Sequence, residues 1–209
     1  MEKSCKICRR VGDKLFLKGE KCSSPKCPFL RKPFPPGETP KKRKFGTVSE
    51  YGKELKEVQK LKKAYLISGE QFRKIIKEAL LKMGKEDVSK LLIKKLEKKL
   101  FNVIYRAGLS TSRRGAKQLI SHGHFLLNGK KVDIPSIEIK VNDEIKIKKK
   151  SKNSPYFKKI LPSFKKENNP PSWLKINKEK SVIKVVSEPE TEDIEKQVDV
   201  PSIFSFYGR

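Results

Sequence analysis

The chain has 209 residues, 51 of them Lys or Arg and 24 Asp or Glu, for a formal net charge of +27. Self-repulsion on that scale disfavours a compact state unless a polyanion neutralises it, and nucleic acid is the usual one. No apolar run approaches the roughly 20 residues that span a bilayer, the opening MEKSCKICRR lacks a signal-peptide core, and the basic residues are spread through every segment rather than along one helix face; a cytoplasmic protein with no membrane partner is expected.

The first chemistry in the chain is a cysteine cluster. Cys5, Cys8, Cys22 and Cys27 follow the spacing C-x2-C-x13-C-x4-C. Two close pairs joined by a loop suit a tetrahedral four-thiolate site. Zinc is the first reading. An iron–sulfur cluster, which four cysteines can also hold, is the second. The neighbouring Lys3, Lys6, Arg9, Arg10, Lys21 and Lys26 favour thiolate over thiol. Few apolar residues surround the cysteines, so a bound metal would supply most of this segment's folding free energy. A Pro-rich basic stretch, PFLRKPFPPGETPKKRKF, follows and has little capacity for regular structure.

From Ser49 the pattern turns helical, with Tyr51, Leu55, Val58 and Leu61 or Tyr65 at near-helical spacing. Ser68 and Gln71 read as a capping box for a second helix. Its apolar face is Phe72, Ile75, Ile76, Ala79, Leu80 and Met83, and Gly84 provides the stop. A third helix starts near Asp87 and carries Val88, Leu91, Leu92 and Leu96.

After Leu100 a short helix, 102–107, closes at Gly108, and Ser110 or Ser112 caps another carrying Ala116, Leu119 and Ile120. His124 to Leu127 reads as a strand, and Asn128-Gly129 is a strong hairpin-turn signal. Two alternating segments follow, Ile137 to Val141 and Ile145 to Ile147, both expected as strands with Asn142-Asp143 between them. Helices thus precede a small antiparallel sheet. Beyond Lys148 the chain looks basic and irregular, punctuated by Pro155, Pro162, Pro170 and Pro171. From Ser187 onward six acids meet two bases. The terminal cluster Ile203, Phe204, Phe206 and Tyr207 is expected to pack back onto the helices of residues 46–98.

Arg113, Arg114 and Lys117 lie on the polar side of the 113–121 helix, with His124, Lys130 and Lys131 on the adjoining strand and hairpin. A basic helix face beside a basic hairpin can straddle an RNA backbone and read its shape. The two histidines, His122 and His124, lack a nearby carboxylate or nucleophile and give no catalytic reading. Trp173 either stacks on a base or is buried.

The stretch from Tyr105-Arg106 through Ser112-Arg113, Ala116-Lys117-Gln118-Leu119, Ser121-His122-Gly123-His124 and Asn128-Gly129 resembles the S-four RNA-binding domain. The flanks SEYGKELKEVQKLKKAYLISGEQFRKIIKEA, PPSWL and SIFSFYGR are similar to the small-subunit ribosomal protein S-four family, and the cysteine spacing resembles its metal-bearing form. The resemblance implies an α+β fold. A metal-bound irregular N-terminal segment and basic linker (1–45) would precede a small helical domain (46–98, completed by 186–209). An S-four RNA-binding domain of helices and a small antiparallel sheet (99–185) would be inserted into it. It also implies RNA contacts for Arg106, Ser112, Gln118, His122 and Asn128, and for Lys41, Lys42, Arg43 and Lys44. The family's common Arg-Leu-Asp stands here as Lys99-Leu100-Phe101, which implies that an acidic contact is missing.

The implied function is structural: a primary binder of 16S ribosomal RNA that nucleates assembly of the small-subunit body. With protein S-five it would contribute to translational accuracy, and mRNA is a further partner. Two alternatives differ in class: an RNA-modifying enzyme that uses the S-four domain as an anchor, and a free mRNA-binding translational regulator. No segment has the length or polar chemistry of a separate catalytic domain, so no enzymatic activity is expected.

Overall fold

The computed structural model describes residues 4–37, 49–82, 87–166, 170–177, 179, 181–189 and 198–208. The chain divides into two compact units, Met1–Leu92 with Glu192–Arg209, and Ile93–Thr191. The expected boundaries were 98/99 and 185/186, and the cysteine segment belongs to the first unit rather than standing apart.

The first unit opens with three short helices, α1 (Ser4–Val11), α2 (Glu20–Ser23) and α3 (Pro28–Arg31), where an irregular segment was expected. Pro28 at the first helical position needs no backbone donor, so it starts α3 rather than breaking it. Cys8, Val11, Leu15 and Leu17 bury together, with Ala64 and Leu66 packed against them.

Two longer helices follow, α4 (Glu50–Ala64) and α5 (Gly69–Leu80). Ser49 caps α4 by accepting the Gly52 N–H at 3.2 Å, and Ser68 caps α5 through the Gln71 N–H at 3.3 Å. The expected α5 face holds: Phe72, Ile75, Ile76 and Ala79 are buried. Met83 and Gly84 lie outside the described residues. On α4 the buried row is Glu54, Val58 and Leu61, continued by Tyr65, while Tyr51 is exposed. That row is rotated from the expected one because α11 (Val200–Gly208) covers this side. Ser205 Oγ donates to Glu54 at 2.8 Å, and the Tyr51 and Phe206 rings stand 5.3 Å apart.

Helix α6 (Val88–Glu97) forms as expected, and the second unit continues with α7 (Leu100–Arg106) and α8 (Arg113–Ser121). Its sheet contains β1 (Phe125–Leu127), β2 (Lys130–Val132), β3 (Glu144–Ile147), β4 (Leu174–Asn177) and β5 (Val182–Val185). All pairings are antiparallel, in the order β2-β1-β3-β5-β4. The register sets Val132, Phe125 and Ile147 in one row, and Ile145, Ile183 and Ile176 in another. Because strand side chains alternate, these rows face one core shared with α7 and α8.

Two expectations fail here. Ile137 to Val141 is not a strand; it makes one isolated bridge, Glu138 to Lys99. Its backbone serves the start of α7 instead, with Leu100 N–H bonded to Ile137 O at 2.8 Å and Ile139 N–H to Lys98 O at 2.8 Å. The chain beyond Lys148 is not irregular either. It forms α9 (Lys149–Lys152), α10 (Pro155–Lys166, with Pro162 inside) and the strands β4 and β5. Phe157 and Phe164 of α10 are fully buried in the shared core, which outweighs the local penalty of an interior proline. Trp173 is buried there too, so its reading as a base-stacking ring does not hold.

Candidate nucleic-acid interface and cysteine cluster

The turn between α7 and α8 is built from small residues. Gly108 adopts φ +80°. Ser112 caps α8 by accepting the Gly115 N–H at 3.1 Å, and Ser110 Oγ donates to Ser112 O at 2.9 Å. A Cβ on Gly115 would stand 2.7 Å from Ser110 Oγ, so only glycine allows this approach.

The turn sets two cations over two rings. The Arg113 guanidinium lies 4.7 Å from the Tyr105 centroid, and Lys117 Nζ 4.5 Å from that of Phe101. The rings are four residues apart on α7 and the cations four apart on α8, so the pairs stack as a ladder along both helices. Burial, with the nearby Lys99 charge second, pushes the Lys117 pKa below the usual lysine value. Arg113 Nε also donates to Asn102 Oδ1 at 2.7 Å, and Asn102 Nδ2 donates to Glu97 Oε2. Glu97, only 3% exposed, accepts two further bonds from Arg106, at 3.1 and 3.0 Å.

The hairpin turn at Asn128 and Gly129 has φ +48° and +82°, the left-handed pair its sequence predicts. Lys130 pairs with Leu127 and Lys131 with Leu126. Gly123, just past α8, has φ +69°, and a Cβ there would lie 2.7 Å from Lys131 Cε. The Lys131 stem therefore crosses the C-terminal end of α8, roughly 12 Å along the helix from Arg113 at 1.5 Å per residue.

The other expected contact residues divide. Gln118 and His122 are exposed on α8 or its end. His124 is half-buried, with Nδ1 2.9 Å from Ser151 Oγ and its ring on the edge of Phe157. Burial, then the charges of His122 and Lys148, lower its pKa. Arg106 is turned onto Glu97, and Ser112 is spent on its cap. Asn128 braces the neighbouring turn through Asp143 and the Glu144 N–H, both at 2.8 Å. Lys41, Lys42, Arg43 and Lys44 lie outside the described residues. Glu97 and Asn102 were not foreseen from the sequence. A lone acid inside KKLEKKLF, a lysine-rich helix end, was the available signal. Lys175 and Lys184, which share the polar face of the sheet with Glu144 and Lys146, were equally unforeseen, because no strands were expected beyond Lys148.

In the first unit Cys8, Cys22 and Cys27 are buried and Cys5 half-buried, all as free thiols. The four line one small cavity with Leu17 and Phe29. The Lys18 N–H points at Cys22 Sγ at 3.4 Å. Burial raises the Cys8 thiol pKa; the Leu15 N–H opposes this, and Cys22, Cys5 and Cys27 add to it. Among the described residues no three His, Cys or carboxylate side chains have the separations of a formed metal centre. The four cysteines nonetheless line one cavity, and backbone N–H groups reach the sulfurs of Cys22 and Cys8; four thiols are the donor type a thiophilic ion takes.

Residues 1–97 match the family described as ribosomal protein S4/S9 N-terminal domain, and residues 98–145 match the S4 domain. The chain is 43% identical over 205 residues to small ribosomal subunit protein uS4 of Halothermothrix orenii, covering 98% of this chain and 96% of that protein. It is 42% identical over 206 residues to the uS4 protein of Clostridioides difficile, covering 99% and 97%. To that of Thermus thermophilus it is 40% identical over 205 residues, covering 98% and 96%.

Proposed function

The chain belongs to the family of small ribosomal subunit protein uS4, and from that premise we propose that it binds ribosomal RNA through α8 and the β1–β2 hairpin. It is a non-enzymatic constituent of the small ribosomal subunit. Among the described residues no helix is long and apolar enough to cross a membrane.

The observation that carries the reading is the cation ladder joined to the hairpin. Arg113 and Lys117 are held over rings, and Lys131 closes the end of the same helix. Held cations lose little freedom when they meet phosphates. The target we assign is 16S ribosomal RNA, bound early enough to nucleate assembly of the small-subunit body. The finer assignment of protein S-five as a neighbour, with an effect on translational accuracy, rests on the family resemblance.

Cys5, Cys8, Cys22 and Cys27 would hold the metal we propose for the N-terminal segment. We favour zinc over an iron–sulfur cluster because two close cysteine pairs joined by a loop are the usual form of a structural tetrahedral zinc site. The ion would act structurally, cross-linking α1, α2 and the start of α3.

The test of the RNA face is binding of the full chain to a 16S ribosomal RNA transcript over a salt series. The double variant Arg113→Ala, Arg114→Ala should bind more weakly, with the salt slope lowered by about 0.7–0.9 for each phosphate no longer neutralised. Unchanged affinity and slope would assign the RNA to another surface.

A further inference from the structure

We propose that Glu97 and Asn102, neither of which faces the RNA, act as positioning residues that set the Arg113 guanidinium for phosphate. The inference rests on the RNA face just assigned and adds the device that prepares it.

Asn102 is completely buried, and both ends of its amide are used. An ionised carboxylate can only accept hydrogen bonds. Glu97 therefore takes the Nδ2 end of the amide and leaves Oδ1 as the end that faces α8. Arg113 Nε donates to that oxygen at 2.7 Å while its plane lies over Tyr105. The two contacts fix the guanidinium along independent directions, one in its plane and one perpendicular to it. A phosphate would then meet a guanidinium whose plane is already set. Arg106, bidentate on Glu97, neutralises the buried carboxylate. The chain of contacts runs from the end of α6 through α7 to α8, so its geometry belongs to the fold of the second unit and is present before RNA arrives.

The test is a double-mutant cycle on the full chain, with a 16S ribosomal RNA transcript as the probe. Asn102→Leu keeps the side-chain size and removes both hydrogen bonds. It should weaken binding by about three- to tenfold, the scale expected when one ordered contact side chain is released. Its salt slope should stay unchanged, because the charge on Arg113 is retained. Arg113→Ala should weaken binding and reduce the slope by ~0.7–0.9. In the Arg113→Ala background, Asn102→Leu should cost no further affinity. Glu97→Gln, nearly isosteric, should weaken binding in the same direction and supplies the cycle if Asn102→Leu does not fold. A weakening that persists in the Arg113→Ala background, or none in the wild-type background, overturns the inference and leaves the RNA face standing. If Arg113→Ala itself changes nothing, the RNA face and the inference fall together.

Discussion

Lys117 shows how much one side chain's surroundings add to its charge. A solvated lysine keeps its proton far above neutrality. Lys117 sits on Phe101 with Lys99 near, and burial lowers its pKa. An RNA phosphate favours the charged form and so raises that pKa on binding. Between the free and bound values the complex holds more protons than the free protein. Affinity is therefore fully present below the lowered free value and falls as pH rises through it. RNA binding should weaken with alkaline pH sooner than an ordinary lysine would dictate, and Lys117→Arg should flatten that limb. A pH–affinity profile identical in the two proteins would remove Lys117 from the interface. The residue scale also shows where sequence reading stops. Phe101 in place of the expected acid implied a missing acidic contact, yet the structure supplies Glu97 two residues before Lys99. The lone acid in KKLEKKLF marks Glu97 locally, but its convergence with Asn102, Arg106 and Arg113 exists only in the fold.

Secondary-structure elements were legible where local chemistry decides them. Ser68 caps the helix its spacing predicts, Ser112 is the cap of the two serines offered for α8, Ser49 caps the helix expected to begin there, and Asn128-Gly129 turns the hairpin. The segment 137–141 alternates like a strand but is held by the start of α7. Strands β4 and β5 were hidden by the flanking prolines and lysines, since their partners lie in another part of the sheet. Helix α11 is the element with the most direct energetic consequence. Ile203 is fully buried and Val200 nearly so. Ile203→Ala should destabilise the first unit by about 2–4 kcal/mol, measured by urea denaturation of the full chain. A change below ~0.5 kcal/mol would mean that α11 adds little to the fold.

The end of β5 offers a milder case. Glu188 accepts from Lys98 and lies 3.0 Å from Lys94, and the Lys98 hydrogen bond, then that of Lys94, holds its pKa down to about 2. A depressed acid contributes stability above its unfolded pKa, near 4.5, and loses it as pH falls toward 2. The side chain is half exposed, so solvent limits Glu188→Gln to less than ~1 kcal/mol at neutral pH. Denaturation curves of wild type and variant should converge in acid and in high salt; a constant gap would locate the effect elsewhere.

Over the whole molecule, charge and the proposed metal bear on different parts. A net charge of +27 should make RNA affinity steeply salt-dependent, beyond what the proposed α8 contacts alone would supply. A metal held by the four cysteines, as proposed, would instead govern local folding. Elemental analysis of protein purified without chelator should find one equivalent of zinc. Chelation or Cys22→Ser should speed amide exchange in residues 4–31 while leaving the second unit protected. Absence of both zinc and iron, or uniform exchange across the two units, would reject the metal. The discontinuity of the first unit has a consequence for synthesis. The segments that complete α4, from Asp199 onward, follow the entire second unit in the chain. A growing polypeptide therefore presents α4 with Tyr51, Glu54 and Glu57 without their C-terminal partners until the second unit has been translated, roughly 5–20 s at ordinary elongation rates. During that interval a half-built apolar groove with a carboxylate in it is open to water, and to any chaperone or neighbouring nascent chain that can fill it first.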